Sequence, residues 1–227
     1  MADSRRLLLP LGIAVLVLVL WDSFVVFPFR IFVVLLHEIS HGLAAVASGG
    51  AIESIELSFD EGGVCHTRGG SAFLILNAGY LGSLIWGATF LVLGERRKRS
   101  RTVIAAIGGF TLLVTLFYVR TFFGFAYGLA AGCALLGTAA RLQPAVSEIL
   151  LAALGATSAL YAVWDILSDA LFRHSNASDA AALAQLTGIP AIVWGVGWIA
   201  ISLVVLASVL RRLADAGNQP TPQQAPA

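Results

Sequence analysis

Long apolar runs separated by short polar breaks dominate this chain. A helix needs about 20 mostly apolar residues to cross a bilayer, and seven runs approach that length. Two of the breaks, at 28–30 and around Arg120, are short enough for neighbouring runs to merge, so six spans are an alternative to seven. The pattern predicts an all-α polytopic membrane protein, a bundle of six to seven transmembrane helices. The predicted spans are 7–27, 31–48, 72–94, 102–119, 121–140, 145–171 and 189–210.

One segment between the second and third spans follows a different pattern. Ile55, Leu57 and Phe59 alternate with polar residues, as in a strand with one apolar face. The glycine-rich turn at 60–63 and a short return strand follow, so we predict a β-hairpin at 51–68. Its simplest role is to join two helices. Alternatively, an open strand edge binds an extended peptide by strand addition, and the three apolar residues then become candidate substrate-binding residues.

The two ends of the chain need separate interpretations. Arg5 and Arg6 precede an apolar run, as in a signal peptide, but no small-residue cleavage site follows, so we expect an uncleaved first membrane helix. Residues 215–227 are rich in Pro, Gln and Ala, which is typical of a disordered tail. We therefore predict one transmembrane domain at 1–214 and a tail at 215–227.

Composition supports a membrane protein and excludes some other classes. The chain is 58% hydrophobic and 12% charged, with a mean hydropathy of +0.87, whereas soluble domains carry about 25% charged residues. The expected surroundings are therefore the lipid bilayer. A net charge of +1 gives no electrostatic basis for nucleic-acid binding. The two cysteines do not suggest a disulfide framework.

The second predicted span contains the polar sequence His37-Glu38-Ile39-Ser40-His41. His37 and His41 fall on one helix face, where two neutral imidazoles can bind a single Zn²⁺. Glu38, beside the first histidine, is placed to act as a general base on water at the metal. Ionisable groups are costly in hydrocarbon, so their presence requires a functional explanation. The combination favours an intramembrane zinc metalloprotease with one Zn²⁺ per chain.

A catalytic zinc site uses three protein ligands, so a third one is expected from another span. Asp165 and Asp169 lie one turn apart in the sixth span. We favour Asp165, because it is deeper and an unpaired carboxylate costs more there; Asp169 can pair with Arg173 instead. Asn77, early in the third span, is either a substrate or oxyanion hydrogen-bond donor or a helix-packing amide.

These residues resemble the site-2-protease class of intramembrane metallopeptidases, the M50 family, and especially its M50B-like branch. The resemblance rests on the His-Glu-x-x-His sequence in a span, the glycine-bracketed hairpin, Asn77-Ala-Gly79-Tyr-Leu-Gly82-Ser, and Asp165 in a late span. It implies zinc held by His37, His41 and Asp165, and Glu38 as general base. It also implies that the hairpin clamps a membrane-protein substrate, in a bacterial cell membrane. The chain departs from the family pattern because Asp165 is followed by isoleucine, where the family usually has glycine.

Orientation and function each retain alternatives. With seven spans, nine basic residues lie on one side and five on the other, and the positive-inside rule then places the hairpin outside. The resemblance implies a cytosolic hairpin. The functional alternatives are a non-proteolytic scaffold that keeps the metal site and a small ion transporter. The substrate, regulator and oligomeric state have no signature in the sequence.

Overall fold

The computed structural model describes residues 5–94, 97–167 and 178–218. Within these residues the chain forms helices and one two-stranded antiparallel sheet. The helices are α1 (Arg5–Val19), α2 (Phe27–Ala47), α3 (Ala72–Gly94), α4 (Arg97–Tyr118), α5 (Phe122–Arg141), α6 (Pro144–Leu167), α7 (Asp179–Thr187) and α8 (Ala191–Asn218), and the strands are β1 (Ala51–Leu57) and β2 (Gly63–Arg68).

Six helices of the described chain, α2 to α6 and α8, are long and apolar enough to cross a membrane. The predicted helical membrane fold is thus confirmed, with six spans. Helix α1 has 15 residues and reaches about 22 Å, less than the roughly 30 Å of a hydrocarbon core. The chain turns just beyond it, where the Ser23 hydroxyl donates to the Leu20 carbonyl at 2.5 Å.

Helix α2 occupies the centre of the bundle. Two-thirds of the residues in its most apolar 18-residue stretch are buried. The helix packs against α3, α6 and both strands. Proline at the start of α2 suits the first turn, where a missing N–H costs nothing. Helices α3 and α6 approach closely through Gly87 and Gly155; a Cβ on Gly87 would lie 2.9 Å from the Ala159 nitrogen. Glycine at such crossings lets helices pack tightly in lipid.

The hairpin appears between α2 and α3 as predicted, and it lies along α2. Its apolar side chains, Ile52, Ile55 and Leu57, pack into the core around α2. The packing is close, because a Cβ on Gly42 would lie 2.6 Å from Ile52 Cδ1. At the base of the hairpin, Ser48 accepts a hydrogen bond from the Ser71 amide at 2.9 Å.

The outer edge of β1 is already occupied. The Ile55 carbonyl accepts from the Arg120 amide at 3.0 Å. The Thr121 hydroxyl accepts from the Leu57 amide at 3.1 Å and donates to the Leu57 carbonyl at 2.9 Å. The link between α4 and α5 therefore closes the outer edge of β1. The other edge of the hairpin is the outer edge of β2.

The predicted tail overlaps the last helix. Helix α8 continues to Asn218, past the boundary predicted at 214, because its apolar face carries on to the fully buried Leu213. The rest of the predicted tail, 219–227, lies outside the described residues, as does the end of the predicted sixth span beyond Leu167.

Candidate metal centre and active site

Helix α2 brings the two predicted histidine ligands together. One turn separates His37 from His41, and their ring centroids are 4.7 Å apart. Glu38 and His41 are 5% and 7% exposed, so this polar group lies inside the bundle. The His41 Nδ1 lies 2.6 Å from the Ile75 carbonyl oxygen. A proton on Nδ1 makes this contact a hydrogen bond and leaves Nε2 free as a metal ligand.

Asp179 supplies a carboxylate to the same point. Its Oδ2 lies 3.2 Å from His37 Nε2 and 3.3 Å from His41 Nε2. Helix α7 starts at this residue, with the Ser178 hydroxyl as its N-cap. The buried face of α7, Ala180 and Leu183, packs with aromatic side chains of α3 and α8. That packing fixes the end of α7 that carries the carboxylate.

The three side chains fit the requirements of a zinc ion. Their ligand atoms lie within 4.8 Å of one another, and the two nitrogen–oxygen distances resemble the roughly 3.4 Å that separates tetrahedral ligands at Zn–N and Zn–O bond lengths. Asp179 Oδ2 is buried, and the groups that it faces are the two imidazole nitrogens. Burial favours the neutral acid, but contacts with both imidazoles outweigh it and lower the pKa of Asp179 well below its usual range. An ionised carboxylate is the form that binds a metal.

The structure departs from the predicted ligand set at its third member. Among the described residues, the group that can share one ion consists of His37, His41 and Asp179, and Asp165 is not part of it. Asp165 lies on α6, near enough for its charge to act on His37. The alternative candidate, Asp169, lies outside the described residues.

The sequence around Asp179 has the pattern of the start of a short helix, and not that of a membrane span. Depth in a long apolar helix favours Asp165 as the third ligand, whereas Asp179 belongs to a polar segment between two such helices. Ser178 followed by Asp179 is a typical N-cap and first-turn pair. Gly188, with a φ of 74°, then ends the helix in a left-handed C-cap. This short capped helix was therefore readable from the sequence, although its contact with α2 was not.

The Glu38 carboxylate faces β2. It accepts a hydrogen bond from the Cys65 amide, so that amide points away from β1. A Cβ on Gly63 would lie 2.6 Å from Glu38 Oε1 and 2.8 Å from Val34 Cγ1, so only glycine fits there without displacement. Burial and the charge of Glu38 raise the pKa of Cys65 to about 12, which keeps this thiol protonated at neutral pH.

Gly79 of α3 lies against the two histidines, whereas the described contacts of Asn77 are with Phe73 and Trp198. A Cβ on Gly79 would collide with the His37 ring and lie 2.6 Å from His41 Nε2. The Asn77 side chain donates to the Phe73 carbonyl at 2.8 Å and accepts from Trp198 Nε1 at 2.9 Å. These contacts match its predicted helix-packing role; a substrate contact remains a prediction.

The three predicted substrate-binding residues of the hairpin lie in different surroundings. Ile55 and Leu57 are 0% and 2% exposed and are packed in the core. Phe59 is 65% exposed and contacts Phe27 and Phe123, with ring centroids 4.9 and 5.6 Å away. The first two therefore hold the hairpin on α2, because their side chains point inward from the closed strand.

A family model described as Peptidase M50B-like matches residues 11–209 of the chain. The match includes every helix that carries a residue of the site. No curated protein and no solved structure is similar enough to the chain to count as a match.

Proposed function

Since the chain belongs to the M50B-like peptidase family, we propose that it is an intramembrane zinc metalloendopeptidase acting on membrane-protein substrates. The observation that carries the proposal is the buried Glu38 beside three convergent donor atoms from α2 and α7. A carboxylate next to a metal site is an arrangement that metal-assisted peptide hydrolysis uses, and ionisable groups inside a membrane bundle usually mark a functional site.

In this proposal His37, His41 and Asp179 hold the zinc ion, with Asp179 in the place predicted for Asp165. The His41 contact with the Ile75 carbonyl orients one imidazole, and the packing of α7 orients the carboxylate. When bound, zinc supplies Lewis acidity, which activates water and polarises the scissile carbonyl.

Glu38 then handles the proton. Its carboxylate takes a proton from the attacking water and delivers it to the nitrogen of the leaving amine, which is general base and then general acid catalysis. The hydrogen bond from the Cys65 amide holds the carboxylate in place. Because Gly63 has no side chain, β2 packs directly against this carboxylate.

The proposed substrate edge is β2 and not β1. In an antiparallel pair, the amides and carbonyls of alternate residues point to the outer edge. The Cys65 amide points outward to Glu38, while the outer edge of β1 is bonded to Arg120 and Thr121. Because Glu38 holds that amide, an extended substrate added alongside β2 would pair with the other outward groups of the strand and would pass Glu38.

The experiment compares wild type with Glu38→Gln, which keeps the shape of the side chain and removes the base. Both proteins are purified in detergent and incubated with a single-span model polypeptide labelled at both ends. Wild type should cleave it, and the variant should lose at least about 100-fold in rate while retaining equal zinc by elemental analysis.

Other outcomes favour the alternatives. Equal zinc with no cleavage by either protein supports a scaffold that keeps the metal site. Ion flux in liposomes without stoichiometric zinc supports a transporter. Equal cleavage by both proteins removes Glu38 from the mechanism and contradicts the proposal.

A further inference from the structure

The tip of the hairpin contains a strained residue. Glu61 has a φ of +65°, and no other non-glycine residue of the described chain has a positive φ. Such a conformation costs about 1 kcal/mol or more, although glycine, which adopts it freely, occurs at the next two positions. A side-chain interaction that needs the carboxylate would explain why glutamate is tolerated at this position.

That interaction is an ion pair with Arg30 of α2. Arg30 Nη2 lies 3.0 Å from Glu61 Oε1, and the two side chains are 13% and 23% exposed. The guanidinium also lies 5.7 Å from the centroid of the Trp21 ring. A largely buried, charge-assisted hydrogen bond of this kind is stronger than a surface pair.

The pair connects the tip of the hairpin to the helix that carries the catalytic group. Arg30 lies about two turns before His37 on the same face of α2. Glu61 precedes Gly63, which packs directly on Glu38. At the opposite end of the hairpin, Gly69 and Gly70 have φ values of 70° and 80°, a glycine connection that gives the strand little stiffness of its own.

From this arrangement we propose that Arg30 and Glu61 are a positioning pair that holds the outer edge of β2 against Glu38. The proposal rests on the proposed function for its catalytic consequence, since the edge matters there only if a substrate binds along it. The Arg30 guanidinium contacts Glu61, the Trp21 ring and, at 4.0 Å, the Asp22 carboxylate, none of which is a proposed metal ligand. The effect of the pair on the site passes through the turn and Gly63.

The first test measures the position of β2 without any substrate. Cys65 lies on β2, half-buried against α2, and Cys133 is exposed. In a Cys133→Ala background, the rate at which a maleimide labels Cys65 reports how firmly β2 is held. Glu61→Gln should raise this rate about fivefold, the factor expected from the loss of one partly buried ion pair. An unchanged rate overturns the proposal.

A matched control comes from the other end of the same hairpin. Arg68 Nε and Glu53 Oε1 lie 3.4 Å apart, but their side chains are 80% and 53% exposed. An exposed pair contributes little to stability. With Glu53→Gln added to the Cys133→Ala protein, maleimide should therefore label Cys65 at the same rate as in Cys133→Ala alone. Equal increases in both variants would mean a general loosening and would overturn the proposal.

A charge exchange separates the ion pair from a folding defect. The double variant Arg30→Glu with Glu61→Arg keeps both charges at the tip. Its rate of Cys65 labelling should return to within about twofold of that of the Cys133→Ala protein, as expected for two residues whose effects are coupled. A double variant that labels as fast as Glu61→Gln overturns the pairing.

Activity supplies the last readout. With the labelled model polypeptide, Glu61→Gln should raise KM about fivefold, with kcat and zinc content retained, because substrate docking is affected more than chemistry. A fall in kcat alone overturns the positioning role. If wild type cleaves nothing while the labelling results hold, the proposed function fails and the positioning pair stands.

Discussion

Asp165 on α6 and Asp179 on α7 each carry a carboxylate near the histidines of α2. Asp179 Oδ2 contacts both imidazoles, whereas Asp165 is near enough for its charge to act on His37 but does not belong to the group of donor atoms that can share one ion. We therefore expect Asp179→Ala to lose stoichiometric zinc and Asp165→Ala to retain it. Elemental analysis of the purified proteins measures this. Zinc loss in Asp165→Ala with retention in Asp179→Ala would reverse the assignment.

Gly79 gives a second prediction for a single residue. A Cβ at this position would enter the space of the His37 and His41 rings. We expect Gly79→Ala to weaken zinc affinity about 10- to 100-fold, the effect of disturbing the groups that orient metal ligands, because both imidazole rings would have to move. Competition with a zinc chelator measures the affinity.

Gly109→Ala is the matched control for that experiment. Gly109 is also within a membrane helix, and a Cβ there would meet nothing within 4 Å. Its zinc affinity should equal that of wild type. An equal loss in both variants would show that the effect is one of folding and not of the histidines.

The sequence predicts those residues of the site whose relative positions depend only on their spacing within one helix. The separation of His37 and His41 on one face follows from helix geometry alone. Asp179 could not be placed, because its position depends on how α7 packs between α3 and α8, and no periodicity reports that contact. Depth in a span favoured Asp165 as the third ligand. In the structure, the packing of the short helix α7 places Asp179 beside the imidazoles instead.

Among the elements, Thr121 joins two functions in one side chain. It is the N-cap of α5, accepting from the Gly124 amide, and it bonds both backbone groups of Leu57. We expect Thr121→Val to lower the free energy of unfolding by about 1–2 kcal/mol, the effect of losing a cap. Denaturant titration in mixed micelles measures it.

A conservative variant tests whether the hydroxyl is the cause. Thr121→Ser keeps the acceptor and donor and loses only a methyl group, so its stability should stay close to that of wild type. If Thr121→Ser is destabilised as much as Thr121→Val, the packing of the methyl group and not the hydrogen bonds secures β1.

The elements themselves differ in how far the sequence determined them. Alternation of apolar residues at 55, 57 and 59 predicts the hairpin correctly, since strand periodicity is a local property. Which edge stays open is not local, because the group that closes β1 comes from the link between α4 and α5. The length of α1 was overestimated, because hydropathy continued through a turn that Ser23 makes with its side chain.

For the whole molecule, six spans change the distribution of charge across the membrane. With α1 not counted as a span, the segments before α2 and after α8 lie on one side. Counted along the sequence, eleven of the 14 basic residues would belong to that side and three to the other. The three are Arg68, Arg120 and Arg173.

The positive-inside rule then predicts that both flanks are cytosolic and that the hairpin approaches from the opposite side. A green fluorescent protein fused after the last residue should be fluorescent, and an alkaline phosphatase fused there should be inactive. The reverse result would give the cytosolic hairpin that the family resemblance implies.

Zinc should also stabilise the fold as a whole, because its proposed ligands come from α2 and α7, which only the folded chain brings together. A ligand that binds the native state alone stabilises by about 2.7 kcal/mol at 100 times its Kd, or roughly 5–10 °C in Tm for a chain of this size. Thermal unfolding in detergent, with and without added zinc, measures the shift. Asp179→Ala should show none, and magnesium should not replace zinc in wild type. An equal shift in Asp179→Ala would place the stabilising ion elsewhere, and that result would not depend on identifying a substrate.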